Sequence, residues 1–333
     1  MKMDGKFYDV SNGFPFENNF HAQNMKRKKD IKSHAIRIGV CILIFLSAPF
    51  VLGAILGVTG LFDIYSENLS LQYCIEMLLM VVFLFLPFFA VYSISPKKDK
   101  DKIALSLEKP KSPLLFALAI PMGLMFCFAG DYISSVIATL FEQIGITLTS
   151  VPDFEVPTEG TGLFLFAFST IVPPAIIEEF ALRSVTMQPL RKFGDKFAII
   201  MTALVFGLMH RNAVQGIFAF IAGIIFGYIA IAADSVWPAV IVHALNNSFS
   251  VILSVLNETN EEVANKVYAL VVSIVMVAGV FSAMFFFLFA KRNKLRNPIP
   301  ILPVKEKVKS FLLNIPMVIS MVIMILYTLF GDL

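Results

Sequence analysis

Two adjacent carboxylates with a guanidinium four residues on, Glu178-Glu179 and Arg183, lie in an otherwise apolar stretch of this chain, and two histidines, His210 and His243, lie in apolar stretches further on. A charge on a membrane helix costs about 2.5–3.5 kcal/mol on insertion scales, so such residues ask for a chemical reason. Glu179 and Arg183 are spaced to share one helical face and form an ion pair. Glu178 is turned about 100° away and has no base at either helical spacing. Glu179 therefore reads as the structural carboxylate and Glu178 as the chemical one. His243 and Asn247 repeat the four-residue relation, as do Phe206 and His210. Either histidine alone would read as an interhelical hydrogen-bonder.

A carboxylate with two imidazoles supports two kinds of chemistry. Glu178 could be a general base on a water that His210 helps to hold, with His243 and Asn247 donating to the oxyanion of a tetrahedral intermediate. Alternatively Glu178, His210 and His243 could bind zinc and lower the pKa of its water. The sequence has no HExxH, which weighs toward the metal-free reading without closing the zinc one.

These groups need elements that bring them to one depth. As helix, Glu178 lies about 20 Å in from Arg191, His210 about 21 Å from Lys196, His243 about 14 Å and Asn247 about 20 Å from Asp234. Pro173-Pro174 upstream of the glutamates should kink or split that helix. Asp234 is placed to cap the helix carrying His243, with Pro238 in its first turn. Gly223 and Gly227 form a GxxxG suited to close helix packing.

Composition agrees with a membrane setting. The chain is 57% hydrophobic and 15% charged, outside the range of soluble domains. Apolar runs place spans near 38–62, 71–95, 113–136, 162–188, 196–210, 213–233, 236–256, 267–290 and 309–330. The expected fold class is an all-α, polytopic transmembrane helix bundle of about eight or nine spans. The fifth span is the weak one: it rises only about 21 Å against a core of roughly 30 Å, so His210-Arg211-Asn212 should sit in a protein-lined cavity. Loops alternate in charge, from the basic Lys26–Lys32 cluster through Asp63 and Glu67, Lys97–Lys111, then Glu142–Glu159, and so on to Lys291–Lys309. Basic loops stay inside, which puts the amino terminus in the cytoplasm and makes the protein a multi-pass protein of the cell membrane. Residues 1–33, with no apolar core for a signal peptide, read as an irregular cytosolic tail, and 34–333 as the membrane domain. His21 and His34 are assigned to that tail and its junction. The basic cluster suits anionic membrane lipids, while a net charge of +3 gives no reason to expect nucleic acid. Glu76 and Asp131 read as interface or cavity residues, and the three cysteines form neither a disulfide framework nor a zinc motif.

The clusters also resemble a known family. Glu178-Glu179-Phe-Ala-Leu-Arg183 fits EExxxR, Phe206-Gly-Leu-Met-His210 fits FxxxH, and His243-Ala-Leu-Asn-Asn247 fits HxxxN. Their order on three separate spans resembles the CPBP family, the type II CAAX prenyl endopeptidases and their bacterial relatives linked to bacteriocin processing and immunity. The resemblance covers about residues 160–255. It implies hydrolysis of a peptide bond within the membrane, Glu178 being the base and His210, His243 and Asn247 active-site residues. The expected partner is a peptide or membrane-protein substrate, lipidated or not. The family is described both as metalloproteases and as metal-free glutamate proteases, so the resemblance leaves open whether zinc or no cofactor is used.

Two other functions compete with proteolysis. A non-catalytic immunity or scaffold protein would bind a peptide partner without cleaving it; the intact motifs argue against this. A secondary transporter would also place carboxylates at mid-membrane, but the chain shows no internal repeat.

Overall fold

A computed structural model of the chain describes residues 2–3, 6–7, 15–146, 148, 156–210, 212–290, 295 and 302–330. Apart from a strand pair at Lys2–Met3 and Lys6–Phe7, the regular structure of these residues is helical. Helix α1 spans Pro15–Thr59 and the short α2 Phe62–Ser66. Helix α3 (Leu69–Leu79) runs through a π-helical turn, Met80–Phe85, into α4 (Leu86–Ile94). Polar α5 (Lys97–Ser106) leads to α6 (Pro113–Gln143). Helix α7 (Gly160–Glu179) continues through a second π-helical segment, Phe180–Thr186, into α8 (Met187–Leu190). Then come α9 (Asp195–Met209), α10 (Ala213–Ala232), α11 (Trp237–Thr259), α12 (Glu261–Ala290), α13 (Val304–Leu312) and α14 (Ile315–Phe330).

Seven helices among the described residues are long and apolar enough to cross a membrane, or eight if the pair α13–α14, bent by 78°, counts as one span. The protein is an all-α, multi-pass membrane bundle. The higher count agrees with the lower of the eight or nine spans expected from the sequence. The difference is α9, whose 15 residues reach only about 22 Å. It is buried along most of its length from Asp195 to Met209. It forms an antiparallel hairpin with α10. A Cβ added at Gly207 would lie 2.7 Å from the carbonyl oxygen of Gly216, and one at Gly223 would lie 3.0 Å from Ala203 Cα. Only glycine permits this approach, and Gly223 thus has the packing role expected of it.

Three local expectations change. Helix α1 begins at Pro15, so residues 15–33 are helical rather than irregular. Between Phe16 and Ile38 no proline or glycine interrupts the chain, and Ile31, Ala35 and Ile38, on one helical face, are fully buried. Lys28 pairs with Glu306 at 2.7 Å, tying this end to α13. Secondly, α7 passes Pro173-Pro174 as one helix; the irregularity begins six residues after Pro174, in the π-helical segment. Thirdly, Asp234 does not cap α11. It adopts φ 49°, while the Val236 N–H donates to the Ser106 carbonyl at 2.8 Å. Ser235 Oγ donates to the Glu108 carbonyl at 2.6 Å and Trp237 Nε1 to that of Leu107 at 2.8 Å. The turn after α5 thus clamps the start of α11 and fixes the position of His243.

Candidate active site

Proline at 174 has no N–H, so the Thr170 carbonyl, four residues before it, loses its helical donor. Asn247 on α11 replaces it: Nδ2 donates to Thr170 O at 2.9 Å. This bond spans α7 and α11, and sets Asn247 opposite the first part of the helix that carries the glutamates. A second amide hydrogen of Asn247 is left over for another acceptor.

One helical turn on, the two glutamates diverge as their angular offset requires. Glu179 is fully buried, with Oε2 3.1 Å from Arg183 Nε and Oε1 3.1 Å from His243 Nδ1. The Arg183 contact is ionic without hydrogen-bond alignment. Its guanidinium carbon lies 4.4 Å from the centre of the Phe206 ring and 5.2 Å from that of Phe226, so two aromatic faces take the place of water around the charge. Phe206 is thereby a supporting residue. Glu178 is not part of this pair; Oε2 stands 3.9 Å from His243 Nε2, beyond hydrogen-bond distance.

The histidine orientations follow from their anchors. At the end of α9 the His210 N–H turns to Gly207 O at 3.3 Å, and the ring Nδ1 lies 2.8 Å from Phe206 O. A carbonyl only accepts, so Nδ1 carries the hydrogen and Nε2 is the acceptor nitrogen of the neutral ring. His243 Nδ1 faces the arginine-paired carboxylate of Glu179, an acceptor, and so carries a hydrogen as well, with Nε2 turned the other way. Its ring stacks on Phe226 with centroids 5.5 Å apart.

Glu178, His210, His243 and Asn247 all line one cavity of about 780 Å³, together with Thr170, Pro174 and Asp131. Glu179 and Arg183 lie behind the wall. The structure therefore gathers the four residues singled out as chemical from three chain segments and separates them from the supporting pair. Arg211 lies outside the described residues. Among the described residues, no three His, Cys, Asp or Glu side chains are grouped closely enough to hold a metal ion, the set Glu178, His210 and His243 included.

His34, which the sequence places at the tail junction, has a structural role that sequence reasoning misses. It is buried, and its Nε2 lies 3.0 Å from Thr186 O, at the end of the π-helical segment. Thr186 Oγ1 and Gln188 Nε2 donate to the carbonyls of Ala181 and Arg183 at 2.8 and 3.0 Å. Side chains thus serve the backbone groups that a widened turn leaves poorly paired. The signal that could have found His34 is its phase, since Ile31, His34, Ala35 and Ile38 share a helical face.

Fold and cavity together define a multi-pass membrane protein with a carboxylate–imidazole–amide centre sunk in its bundle. Residues 160–249 match the family described as type II CAAX prenyl endopeptidase Rce1-like, the family that the three motifs resemble. The matched segment takes in all three motifs, from Glu178 to Asn247. No curated protein and no solved structure matches the chain.

Proposed function

We propose that the chain is an intramembrane endopeptidase in which Glu178 is the general base, without a metal. The observation that carries this reading is the convergence of Glu178, His210, His243 and Asn247 on one cavity while Glu179 and Arg183 are sealed behind it. The 3.9 Å gap between Glu178 and His243 is too long for a direct bond and suits a bridging water or substrate oxygen.

In this reaction Glu178 takes a proton from a water that His210 Nε2 helps to orient, and the hydroxide attacks the peptide carbonyl carbon. The carbonyl becomes an oxyanion, which accepts from the free amide hydrogen of Asn247 and from His243 Nε2–H. Glu179 stabilises the imidazolium that this donation requires, since its carboxylate faces Nδ1. When the C–N bond breaks, Glu178 returns its proton to the leaving nitrogen, giving a new carboxyl and a new amino terminus.

The substrate is a peptide or membrane-protein segment, with or without an attached lipid. The charge alternation of the loops places the amino terminus in the cytoplasm of a cell membrane. Purified protein would be screened against quenched fluorescent peptides, lipidated and plain, with and without a zinc chelator. Cleavage that survives chelation and is lost in Glu178→Ala is the expected result. Cleavage abolished by the chelator would replace this mechanism with a metal-dependent one. No cleavage, with Glu178→Ala still complementing a deletion strain, would favour the scaffold reading.

A further inference from the structure

The cavity continues past the catalytic centre. Asp131 on α6 lines it, with Phe128 one turn before, Phe249 and Ser250 on α11, and Tyr268 on α12. Phe128 and Phe249 have ring centroids 5.1 Å apart, and Phe249 stacks on Tyr268 at 6.2 Å and 20°. Three aromatic rings from three helices thus form a wall beside a carboxylate. Lys111 pairs with Asp234 and Arg183 with Glu179, and no ion pair holds the Asp131 side chain among the described residues. Two carboxylates, Asp131 and Glu178, face the cavity, and no described lysine or arginine lines it.

An aromatic wall beside a carboxylate attracts a cation. An alkyl stem can lie on the rings while its charged head reaches the carboxylate, as lysine and arginine side chains do on amphipathic surfaces. The distance along the wall sets the register. A Cβ on Gly123 would meet Val242, the neighbour of His243, at 2.8 Å, so Gly123 marks the level of the chemistry on α6. Asp131 is eight residues further on, about 12 Å at 1.5 Å per residue, or roughly three to four residues of an extended peptide.

We propose that Asp131, backed by Phe128, Phe249 and Tyr268, is a specificity-determining residue that selects peptides with a lysine or arginine three or four residues from the bond cleaved. This rests on the protease reading for the word "cleaved", but the selectivity itself is a binding property and can be read separately.

Matched peptides would carry Lys, Met or Glu at the third and fourth residues on either side of the cleavage site. Competition between them in detergent would be measured with wild type, Asp131→Asn and Asp131→Lys, both as kcat/KM and as Kd for Glu178→Gln forms that cannot turn over. The proposal expects Lys over Met by about tenfold or more in wild type, as a charge-assisted bond implies. It expects that ratio to fall near one in Asp131→Asn and Glu to overtake Lys in Asp131→Lys. Ratios within one variant are insensitive to how much of it is folded. Equal use of the three peptides by wild type, or an undiminished Lys preference in Asp131→Asn, would overturn it. Lys-selective binding without any turnover would uphold the selectivity and sink the protease reading instead.

Discussion

His243 Nδ1 stands 3.1 Å from Oε1 of Glu179, and this pairing decides which ring nitrogen meets the cavity. Because the other oxygen of Glu179 faces Arg183, the carboxylate is held as an acceptor and Nε2 of His243 is presented toward Glu178. Glu179→Gln keeps the shape but removes the charge that pairs with Arg183 and that, in the proposed reaction, supports the imidazolium, so the thermal midpoint is measured beside the kinetics. We expect kcat to fall about 10²–10⁴-fold with KM little changed, the pattern of an interaction made mainly in the transition state. Steady-state kinetics on one peptide would check this, and a loss confined to KM would argue against the role.

Arg183 is fully buried between two aromatic rings, so its loss leaves Glu179 charged and alone. Breaking a buried pair by removing one partner costs about 3–5 kcal/mol. Arg183→Ala should therefore lower the thermal unfolding midpoint in detergent and the folded yield. Arg183→Lys should recover little of it, since an ammonium lacks the planar face that stacks on Phe206 and Phe226. Full recovery with lysine would show that charge alone matters there.

Much of this centre is legible in the sequence because helical geometry is local. The four-residue spacing of Glu179 and Arg183 and the offset of Glu178 predict which carboxylate is sealed in and which is exposed to the cavity. Depth counting along three helices predicts convergence, and the shortness of the fifth span points to a cavity. What the sequence hides is set by tertiary contacts. Whether α9 spans or nests inside the bundle depends on the glycines that let α10 cover it. The π-helical segment after Glu179 has no sequence signature; its carbonyls are satisfied by His34, Thr186 and Gln188, one of them from a distant helix. The clamp on α11 comes from Ser106, Leu107 and Glu108, over a hundred residues away, whereas local sequence alone points to Asp234 as the cap.

Asn247 has two jobs that mutation can separate. If Nδ2 serves the carbonyl orphaned by Pro174, Asn247→Ala should cost about 1 kcal/mol, and Pro174→Ala should remove that cost by restoring a helical donor. Stability of the double variant should then match Pro174→Ala alone. Its activity should stay low, because the oxyanion donor is still missing. A double variant as active as Pro174→Ala would reduce Asn247 to a purely structural residue.

The central claim is that Glu178 activates the water that becomes part of the product. The most direct measurement compares wild type and Glu178→Gln on one cleavable peptide in ¹⁸O-labelled water, with peptide Kd and thermal midpoint determined for both. The account predicts one ¹⁸O in the new carboxyl terminus of the wild-type product. For the variant it predicts a kcat lower by about 10²–10⁴-fold at unchanged affinity and folding. Near-wild-type turnover by folded Glu178→Gln would contradict it.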